Sequence, residues 1–141
     1  FTMAGGTISG NTASYGGGVY VASGMFTMTG GEISDNIASN SNYGGGVYVS
    51  SNGTFTMSGG EINGNSASRG GGVYSSGTFT KQSGGTIYGS DASASLKNTA
   101  TGGDSYGHAV YVYISSSSSR KRNSTAGAGV TLNSGSSANW E

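Results

Sequence analysis

Apolar and polar residues alternate in short segments along the chain, and the same segments return at regular intervals. The first segment is apolar, polar, apolar, and three further copies follow it: Phe1-Thr2-Met3, Phe26-Thr27-Met28, Phe55-Thr56-Met57 and Phe79-Thr80-Lys81. A period of two residues is typical of a β-strand with one buried face. The segments are too short to form helices, so the pattern predicts a repeating all-β structure.

Two more segments recur in fixed order after each of these copies. One centres on an isoleucine that follows a glycine pair (Ile8, Ile33, Ile62, Ile87), and the other is a valine and tyrosine segment that follows glycines (Val19-Tyr20-Val21, Val47-Tyr48-Val49, Val73-Tyr74, Val110-Tyr111-Val112). A strand of three to five residues cannot bury its inner face alone, so the copies must stack in parallel at about 4.8 Å. The sequence therefore predicts a right-handed, single-stranded parallel β-helix with three strands per coil and about four to five coils.

The length of 141 residues predicts a single β-helix domain over 1–141. Its coils are expected at about 1–25, 26–54, 55–78 and 79–129, with a partial coil at 130–141. The fourth coil is too long, and we expect inserted loops at 94–105 and 115–125. Lys81 replaces the expected methionine, which predicts either a register shift by one residue or an opening of that coil.

An asparagine follows each isoleucine by three positions in the first three coils. These residues, Asn11, Asn36 and Asn65, are predicted to form a ladder in which each side-chain amide donates to the carbonyl of its neighbour. Ser90 takes the fourth position by the same spacing. We interpret the ladder as a structural feature and not as a binding site.

The glycines and the asparagine box carry a resemblance to a known group of proteins. Gly44-Gly45-Gly46-Val47 together with Ile33-Ser34-Asp35-Asn36 resembles the paired GGA-[ILV] and FxxN motifs of polymorphic outer-membrane proteins and autotransporter adhesins of bacteria. The resemblance covers about residues 1–90 and departs from the family by having isoleucine in place of phenylalanine. It implies an exported protein displayed at the cell surface and says nothing about a ligand.

Composition and charge narrow the classes of function. The chain has 29 glycines, no cysteine and a formal net charge of zero with 9% charged residues. Such a surface offers no basic patch for nucleic acid, and no run is apolar and long enough to insert into a membrane. The absence of cysteine excludes disulfides and thiolate metal sites. We expect an extracellular or cell-surface protein with no cofactor and no bound metal.

Enzymatic activity is weighed because some β-helix proteins cleave polysaccharides with convergent carboxylates. Glu32 and Glu61 occupy the same repeat position in adjacent coils, but the neighbouring coils carry threonine there. His108 is the single histidine and stands where other coils have glycine. We interpret the acidic pair as solvated and His108 as a corner substitution, and we predict that the protein is not an enzyme.

Outward tyrosines form the most distinctive candidate surface. One row follows the valine segments (Tyr20, Tyr48, Tyr74, Tyr111), and a second row precedes the corner glycines (Tyr15, Tyr43, Arg69, Tyr106). Stacked tyrosines stabilise a sheet, and the alternative is an aromatic platform for glycans or for a host or cell-surface molecule. Outward threonine pairs such as Thr54 and Thr56 also resemble ice-binding β-solenoids, although the row is irregular.

Two sequons and the strand edges complete the predictions. Asn52 and Asn123 begin Asn-x-Ser/Thr motifs and are possible glycosylation sites. Open strand edges at the ends of a solenoid pair with similar edges unless they are covered. We therefore expect end-to-end contact with identical subunits or with neighbouring solenoid coils. The predicted function is a structural fibre or stalk segment or an adhesin, and the alternative is a carbohydrate-binding or carbohydrate-cleaving module.

Overall fold

A computed structural model describes residues 1–40, 42–115 and 118–141 of the chain. These residues form a parallel β-solenoid of about three turns with almost no helix. No helix among them has the length and apolar character needed to cross a membrane. The strands are β1 (Thr2–Met3), β2 (Thr7–Ser9), β3 (Thr12–Ala13), β4 (Val19–Ser34), β5 (Ile37–Ala38), β6 (Val47–Asn63), β7 (Ser66–Ala67), β8 (Val73–Ser75), β9 (Thr78–Lys81), β10 (Thr86–Ile87), β11 (Thr99–Ala100), β12 (Val110–Ser115), β13 (Ser118–Arg122) and β14 (Leu132–Asn133).

Repeated segments lie directly over one another in parallel register. Val47 pairs with Val19, Phe55 with Phe26 and Ile62 with Ile33. The predicted separation into three short strands differs from the structure, because β4 and β6 continue through two corners as single bent strands of 16 and 17 residues. The register is irregular at those corners. One large sheet therefore wraps around the core instead of three separate flat ones.

A second, four-stranded sheet was not predicted. Strands β3, β5, β7 and β11 stack in parallel, and each begins one residue after a ladder asparagine. Their shared sequence is asparagine, any residue, alanine, as in Asn36-Ile37-Ala38 and Asn98-Thr99-Ala100. The last three of the alanines Ala13, Ala38, Ala67 and Ala100 are buried. A small side chain at this position lets the coil close tightly beside the asparagine column.

Columns of identical side chains fill the interior. The rings of Phe26 and Phe55 stack at 4.9 Å, and those of Phe55 and Phe79 lie 5.6 Å apart. Met28, Met57 and the isoleucines Ile33, Ile62 and Ile87 are fully buried. The first coil is less well covered, because Phe1 is 75% exposed although its ring stacks on Phe26 at 5.3 Å. Phe1 thus continues the phenylalanine column, with one face of its ring on Phe26.

The insertion in the fourth coil lies earlier than predicted. Ile87 and Asn98 are eleven positions apart, whereas Ile62 and Asn65 are three apart, so the extra residues fall at 88–97. The predicted loop at 94–105 is therefore wrong in part, since β11 returns to the sheet at Thr99 and pairs with Ser66. A single turn of 3-10 helix, Asp104–Tyr106, follows it.

Chain direction reverses after β12, and the last segment closes this end of the solenoid. Strand β13 pairs antiparallel with β12, Ala126 forms an antiparallel bridge to Ile87, and β14 pairs antiparallel with β9. The segment thus visits the edges of the last coil in the opposite order, and we call residues 118–133 the reversed coil. This differs from the predicted parallel partial coil at 130–141. Of the predicted loop at 115–125, residues 116 and 117 lie outside the described part of the chain.

Trp140 also contributes to this closed end. Its ring packs against the buried cluster, and its indole N–H donates to the carbonyl of Asn133 at 3.3 Å. Leu132 is fully buried beneath it in the reversed coil. The core therefore ends in apolar contacts at this end.

Glycines at the corner before the valine and tyrosine segments are required for the close stacking of coils. A Cβ on Gly45 would meet the carbonyl oxygen of Gly71 and lie 2.6 Å from the backbone nitrogen of Ser66. Both neighbours are backbone atoms, so they cannot move aside without breaking backbone hydrogen bonds between adjacent coils. A Cβ on Gly5, in contrast, would meet nothing within 4 Å.

We predict that Gly45→Ala lowers the free energy of unfolding by about 3 kcal/mol or more, because the added methyl group forces two coils apart. Gly5→Ala is the matched control and should change it by less than about 0.5 kcal/mol. Urea denaturation followed by circular dichroism measures both. Equal stability of the two variants would contradict the close stacking at Gly45.

Candidate functional site

The asparagine ladder is continuous, and it has a direction. The backbone N–H and the Nδ2 of Asn11 both donate to Oδ1 of Asn36, at 3.0 Å each. Asn36 donates to Asn65 in the same way at 2.9 and 3.0 Å, and Asn65 donates to Asn98 at 2.9 Å through both groups. Each oxygen thus accepts two hydrogen bonds from the coil before it.

Every interior amide of the ladder is also tied to the preceding isoleucine carbonyl. Nδ2 of Asn36 donates to Ile8, Asn65 to Ile33 and Asn98 to Ile62, all at 2.9 Å. Asn36, Asn65 and Asn98 are fully buried. A buried amide with all of its groups bonded stabilises one arrangement of the coils and no other.

The fourth member of the ladder is Asn98, so the assignment of Ser90 is wrong. The eight residues inserted after Ile87 move the asparagine along the sequence without moving it in space. The hydroxyl of Ser90 instead contacts the carbonyl of Asn123 at 3.4 Å. The Asn-x-Ala pattern of the second sheet identifies Asn98 from the sequence, and spacing from the isoleucine does not.

The two tyrosine rows form one interlocked surface. Within the first row the ring centroids of Tyr20 and Tyr48 lie 5.1 Å apart, and those of Tyr48 and Tyr74 lie 5.3 Å apart. The second row contacts the first, since the ring of Tyr43 stacks on that of Tyr74 at 4.7 Å. We call the eight residues Tyr15, Tyr20, Tyr43, Tyr48, Arg69, Tyr74, Tyr106 and Tyr111 the tyrosine surface.

Arg69 takes the place of a tyrosine in the second row without interrupting the contacts. Its guanidinium lies 4.4 Å from the ring centroid of Tyr106 and 5.3 Å from that of Tyr43. A cation over an aromatic face is attracted by the ring's quadrupole, and arginine is the side chain that most often makes this contact. Its charge therefore stabilises the row from within.

Most ring faces of this surface are covered by other rings. The rings of Tyr48 and Tyr74 are nearly parallel, with an interplanar angle of 4°, so their faces cover each other. Tyr74 and Tyr111 are buried, and burial raises the pKa of Tyr74 well above its ordinary value. Tyr15 and Tyr20, at 41% and 56% exposure, are the most open members. Exposed aromatic area on this surface therefore concentrates at the first coil.

Lys81 continues the methionine column in register. It pairs with Met57 as Met57 pairs with Met28, so both predicted irregularities at this position, the shifted register and the opened coil, are wrong. The side chain is fully buried, and its ammonium donates to four carbonyl oxygens, those of Gln82, Gly84, Gly127 and Val130, at 2.9 to 3.3 Å. Two of these belong to the reversed coil. Lys81 thus ties that coil to the solenoid, and burial lowers the pKa of Lys81 to about 8.

The acidic pair lies side by side on the outer face. Glu32 and Glu61 are register partners, and Nδ2 of Asn63 donates to Oε1 of Glu32 at 2.9 Å. Burial, followed by the charge of Glu61 and a hydrogen bond to it, raises the pKa of Tyr88. Neither a cavity nor a group of three or more metal-ligating side chains is found among the described residues.

Both ring nitrogens of His108 are used within its own loop. Nδ1 accepts the backbone N–H of Ala100 at 3.1 Å, and Nε2 lies 2.9 Å from Oδ1 of Asp104. Because Nδ1 is an acceptor, the proton of the neutral ring resides on Nε2 and faces the carboxylate. The histidine therefore fastens the 3-10 turn against β11.

The two sequons differ in how far their asparagines are engaged. Asn52 is exposed on β6. Oδ1 of Asn123 accepts the backbone N–H of His108 at 3.3 Å, and the hydroxyl of Thr125 donates to Asp91 at 2.7 Å. Burial alone would raise the pKa of Asp91, but the hydrogen bonds from Thr125 bring it below its ordinary value. Asn123 is half-buried whereas Asn52 is exposed, so Asn52 is the more accessible acceptor.

Threonines form one regular outer column beside an irregular one. Thr2, Thr27, Thr56 and Thr80 are register partners along the axis. In the adjacent column Met25 pairs with Thr54, and Thr54 pairs with Thr78. Two neighbouring threonine columns therefore run side by side only from Thr54 onward. The irregularity expected from the sequence is therefore present at this face.

We predict that Asn65→Ala lowers the free energy of unfolding by about 3 kcal/mol or more, because it leaves the amide of Asn36, the carbonyl of Ile33 and Oδ1 of Asn98 with fewer partners in a buried site. Asn11→Ala is the control, since Asn11 is exposed at the first coil, and about 1 kcal/mol or less is expected. Urea titrations of both variants test this. Similar losses of unfolding free energy in the two variants would show that burial does not set the contribution of a ladder asparagine to stability.

We predict that the stability of the protein rises between pH 8 and pH 9.5 by about 1 to 2 kcal/mol. The pKa of Lys81 is about 8 in the folded state and 10.5 unfolded, so in this range the unfolded chain binds more protons and each rise in pH favours folding. Lys81→Met should abolish the slope. Above pH 10 the trend should reverse, because Tyr48 and Tyr74 have raised pKa values and must stay protonated when folded.

Denaturant titrations at each pH, with wild type and Lys81→Met side by side, measure this difference. A wild-type stability that does not change between pH 8 and pH 9.5 would mean that the four carbonyl oxygens hold the charged form and that the pKa of Lys81 is not lowered.

The chain matches no protein-family model, no curated protein and no solved structure.

Proposed function

We propose that this chain is a non-enzymatic structural segment of an extracellular protein, a fibre, a stalk or a surface adhesin, built as a right-handed parallel β-helix of four to five coils. The observation that carries the proposal is the register itself. Inner phenylalanines, outer tyrosines and buried asparagines all lie over their own copies. Each repeat therefore adds one more layer with the same cross-section along a common axis. A rod-shaped structural protein needs this regular extension.

Resemblance to polymorphic outer-membrane and autotransporter repeats supports placement outside the cell. Both motif elements have structural roles here, since Ile33 is buried in the core, Asn36 is in the ladder, and Gly45 and Gly46 allow the next coil to approach. These structural roles support the resemblance, because the glycines and the asparagine of the motifs are the residues that hold neighbouring coils together in this chain. The low charge and the absence of cysteine suit an exported rod of this kind.

The location is tested on intact cells of the source organism. Antibodies raised against the folded chain should label unpermeabilised cells, and external protease should remove the label. Labelling that requires permeabilisation would overturn the extracellular assignment. In parallel, the purified chain incubated with acidic polysaccharides should release no new reducing or unsaturated ends. Cleavage that is lost in Glu61→Gln would show an enzyme instead.

Carbohydrate binding is the alternative function, and the exposure of Tyr15 and Tyr20 favours it over cleavage. Aromatic faces at the open end of the tyrosine surface are available to a sugar ring. A glycan array probed with wild type, with Tyr15→Ser/Tyr20→Ser and with Tyr113→Ser decides between binding and scaffold. Tyr113 is a matched control because it is 38% exposed on β12 and outside the tyrosine surface. Glycan capture lost only in the double variant would establish the alternative.

A further inference from the structure

We propose that Asn52 is a site of spontaneous modification in the folded protein, where attack by the backbone nitrogen of Gly53 converts the side-chain amide to aspartate and isoaspartate. Asn63 also precedes a glycine, but its contacts in the fold prevent the same reaction. The modification needs no partner molecule, and it is independent of the proposed structural function.

The residue that follows each asparagine determines which ones are candidates. Asn52 and Asn63 are the two asparagines of the chain that precede a glycine. Glycine has no Cβ beside its backbone nitrogen and has a wide choice of backbone angles, so this nitrogen reaches the preceding side chain with the least hindrance. Both dipeptides therefore have the intrinsic capacity to react.

The reaction is balanced without an oxidant or a reductant. The glycine nitrogen loses its proton and forms a bond to Cγ of the asparagine, and Nδ2 leaves as ammonia. Water then opens the cyclic imide at one of its two carbonyl carbons. The product is aspartate, or isoaspartate in which the backbone runs through the former side-chain carbonyl. One water is consumed and one ammonia is released.

Asn52 lies on a corner that projects from the side of the solenoid. Residues 50–53 form this corner, whereas residues 76–77 alone form the same corner of the next coil. The shorter corner lies beneath the longer one, since a Cβ on Gly77 would meet the carbonyl oxygens of the first and last residues of the longer corner. The middle of the longer corner therefore arches outward. Asn52 is exposed there, and no described residue forms a hydrogen bond with its side-chain amide.

Packing requires the glycine of this dipeptide but not the asparagine. A Cβ on Gly53 would lie 2.5 Å from a carbonyl oxygen of the preceding coil. The corresponding corners have serine before the glycine, at Ser23-Gly24 and Ser76-Gly77. Asn52 thus replaces a serine in one coil. Serine at this position is a matched control that keeps the corner and lacks the amide.

Asn63 is protected by contacts on both reacting groups. Its side chain is buried, and Nδ2 donates to Oε1 of Glu32 at 2.9 Å. The backbone N–H of Gly64, which would have to attack, donates to the carbonyl of Leu96 at 2.9 Å. Bringing this nitrogen onto Cγ would break both hydrogen bonds, so the reaction at Asn63 requires local opening of the fold.

Conversion at Asn52 has two consequences for the molecule. It adds one negative charge to a chain whose formal net charge is zero, so modified and unmodified chains separate in isoelectric focusing. It also removes the amide to which a glycan would be attached in the Asn52-Gly53-Thr54 sequon. Chains that have been converted can therefore no longer be N-glycosylated at this position.

The test incubates the folded full-length chain in mildly alkaline buffer, which favours loss of the backbone proton, and measures both products by mass spectrometry after proteolysis. Conversion at position 52 should be at least about tenfold faster than at position 63, because Asn63 reacts only after local opening. In concentrated urea the two rates should become similar, since both dipeptides are then exposed. Asn52→Ser should abolish the product at position 52 and leave the circular dichroism and the slow rate at Asn63 unchanged.

Three results would overturn the proposal. Conversion at position 52 in urea but not in the folded chain would mean that the corner holds the Gly53 nitrogen away from Cγ. Equal conversion at positions 52 and 63 in the folded chain would mean that the contacts of Asn63 give no protection. An acidic species that forms in Asn52→Ser at the wild-type rate would place the reaction at another residue. None of these results bears on labelling of intact cells, so the proposed function stands or fails separately.

Discussion

Stacking of each coil on a near-identical neighbour is the constraint on which the rest of this structure depends. Only 33% of the residues are hydrophobic, which is little for a chain of 141 residues that must order its backbone. The chain offsets this loss of conformational entropy by repeating the same interior residue in every coil. A phenylalanine therefore contacts the phenylalanines above and below it. Glycines such as Gly45 keep the coils close enough for these contacts, and the asparagine ladder fixes their register.

Regular coils could be predicted from the sequence because one pattern determines strand, register and burial together. The spacing of Phe26 and Phe55 placed both residues in one column, and the same spacing aligned Ile33 with Ile62. Prediction failed where the spacing of a residue from the previous coil no longer indicates its position in the structure. Ser90 has the spacing of a ladder residue, and an alanine follows it two positions later, but only Asn98 has the side-chain amide that both accepts and donates in the ladder. A position in a solenoid is thus better identified by its local motif than by counting from the previous coil.

The closed end could not be predicted for a different reason. Antiparallel pairing of β13 with β12 leaves no repeat in the sequence, since Ser118–Arg122 resembles none of the strands that it covers. Lys81 could be recognised only as an exception to the methionine column. Its structural role depends on four carbonyl oxygens that surround its ammonium group. Two of these oxygens belong to residues more than forty positions away in the sequence. The openness of the tyrosine surface also depended on ring orientation, which a row of aromatic letters does not encode.

The reversed coil pairs with strands of the fourth coil, so the number of coils before it can change without altering that pairing. A block of 25 to 29 residues duplicated anywhere between Phe1 and Thr78 would add one more layer of the same cross-section. Lys81 and the closing strands would be carried outward unchanged, because the closing strands pair with the last layer and Lys81 would still lie over a methionine. Unequal recombination between repeats would therefore lengthen or shorten the solenoid in steps of about 4.8 Å while the strands that close it keep their partners.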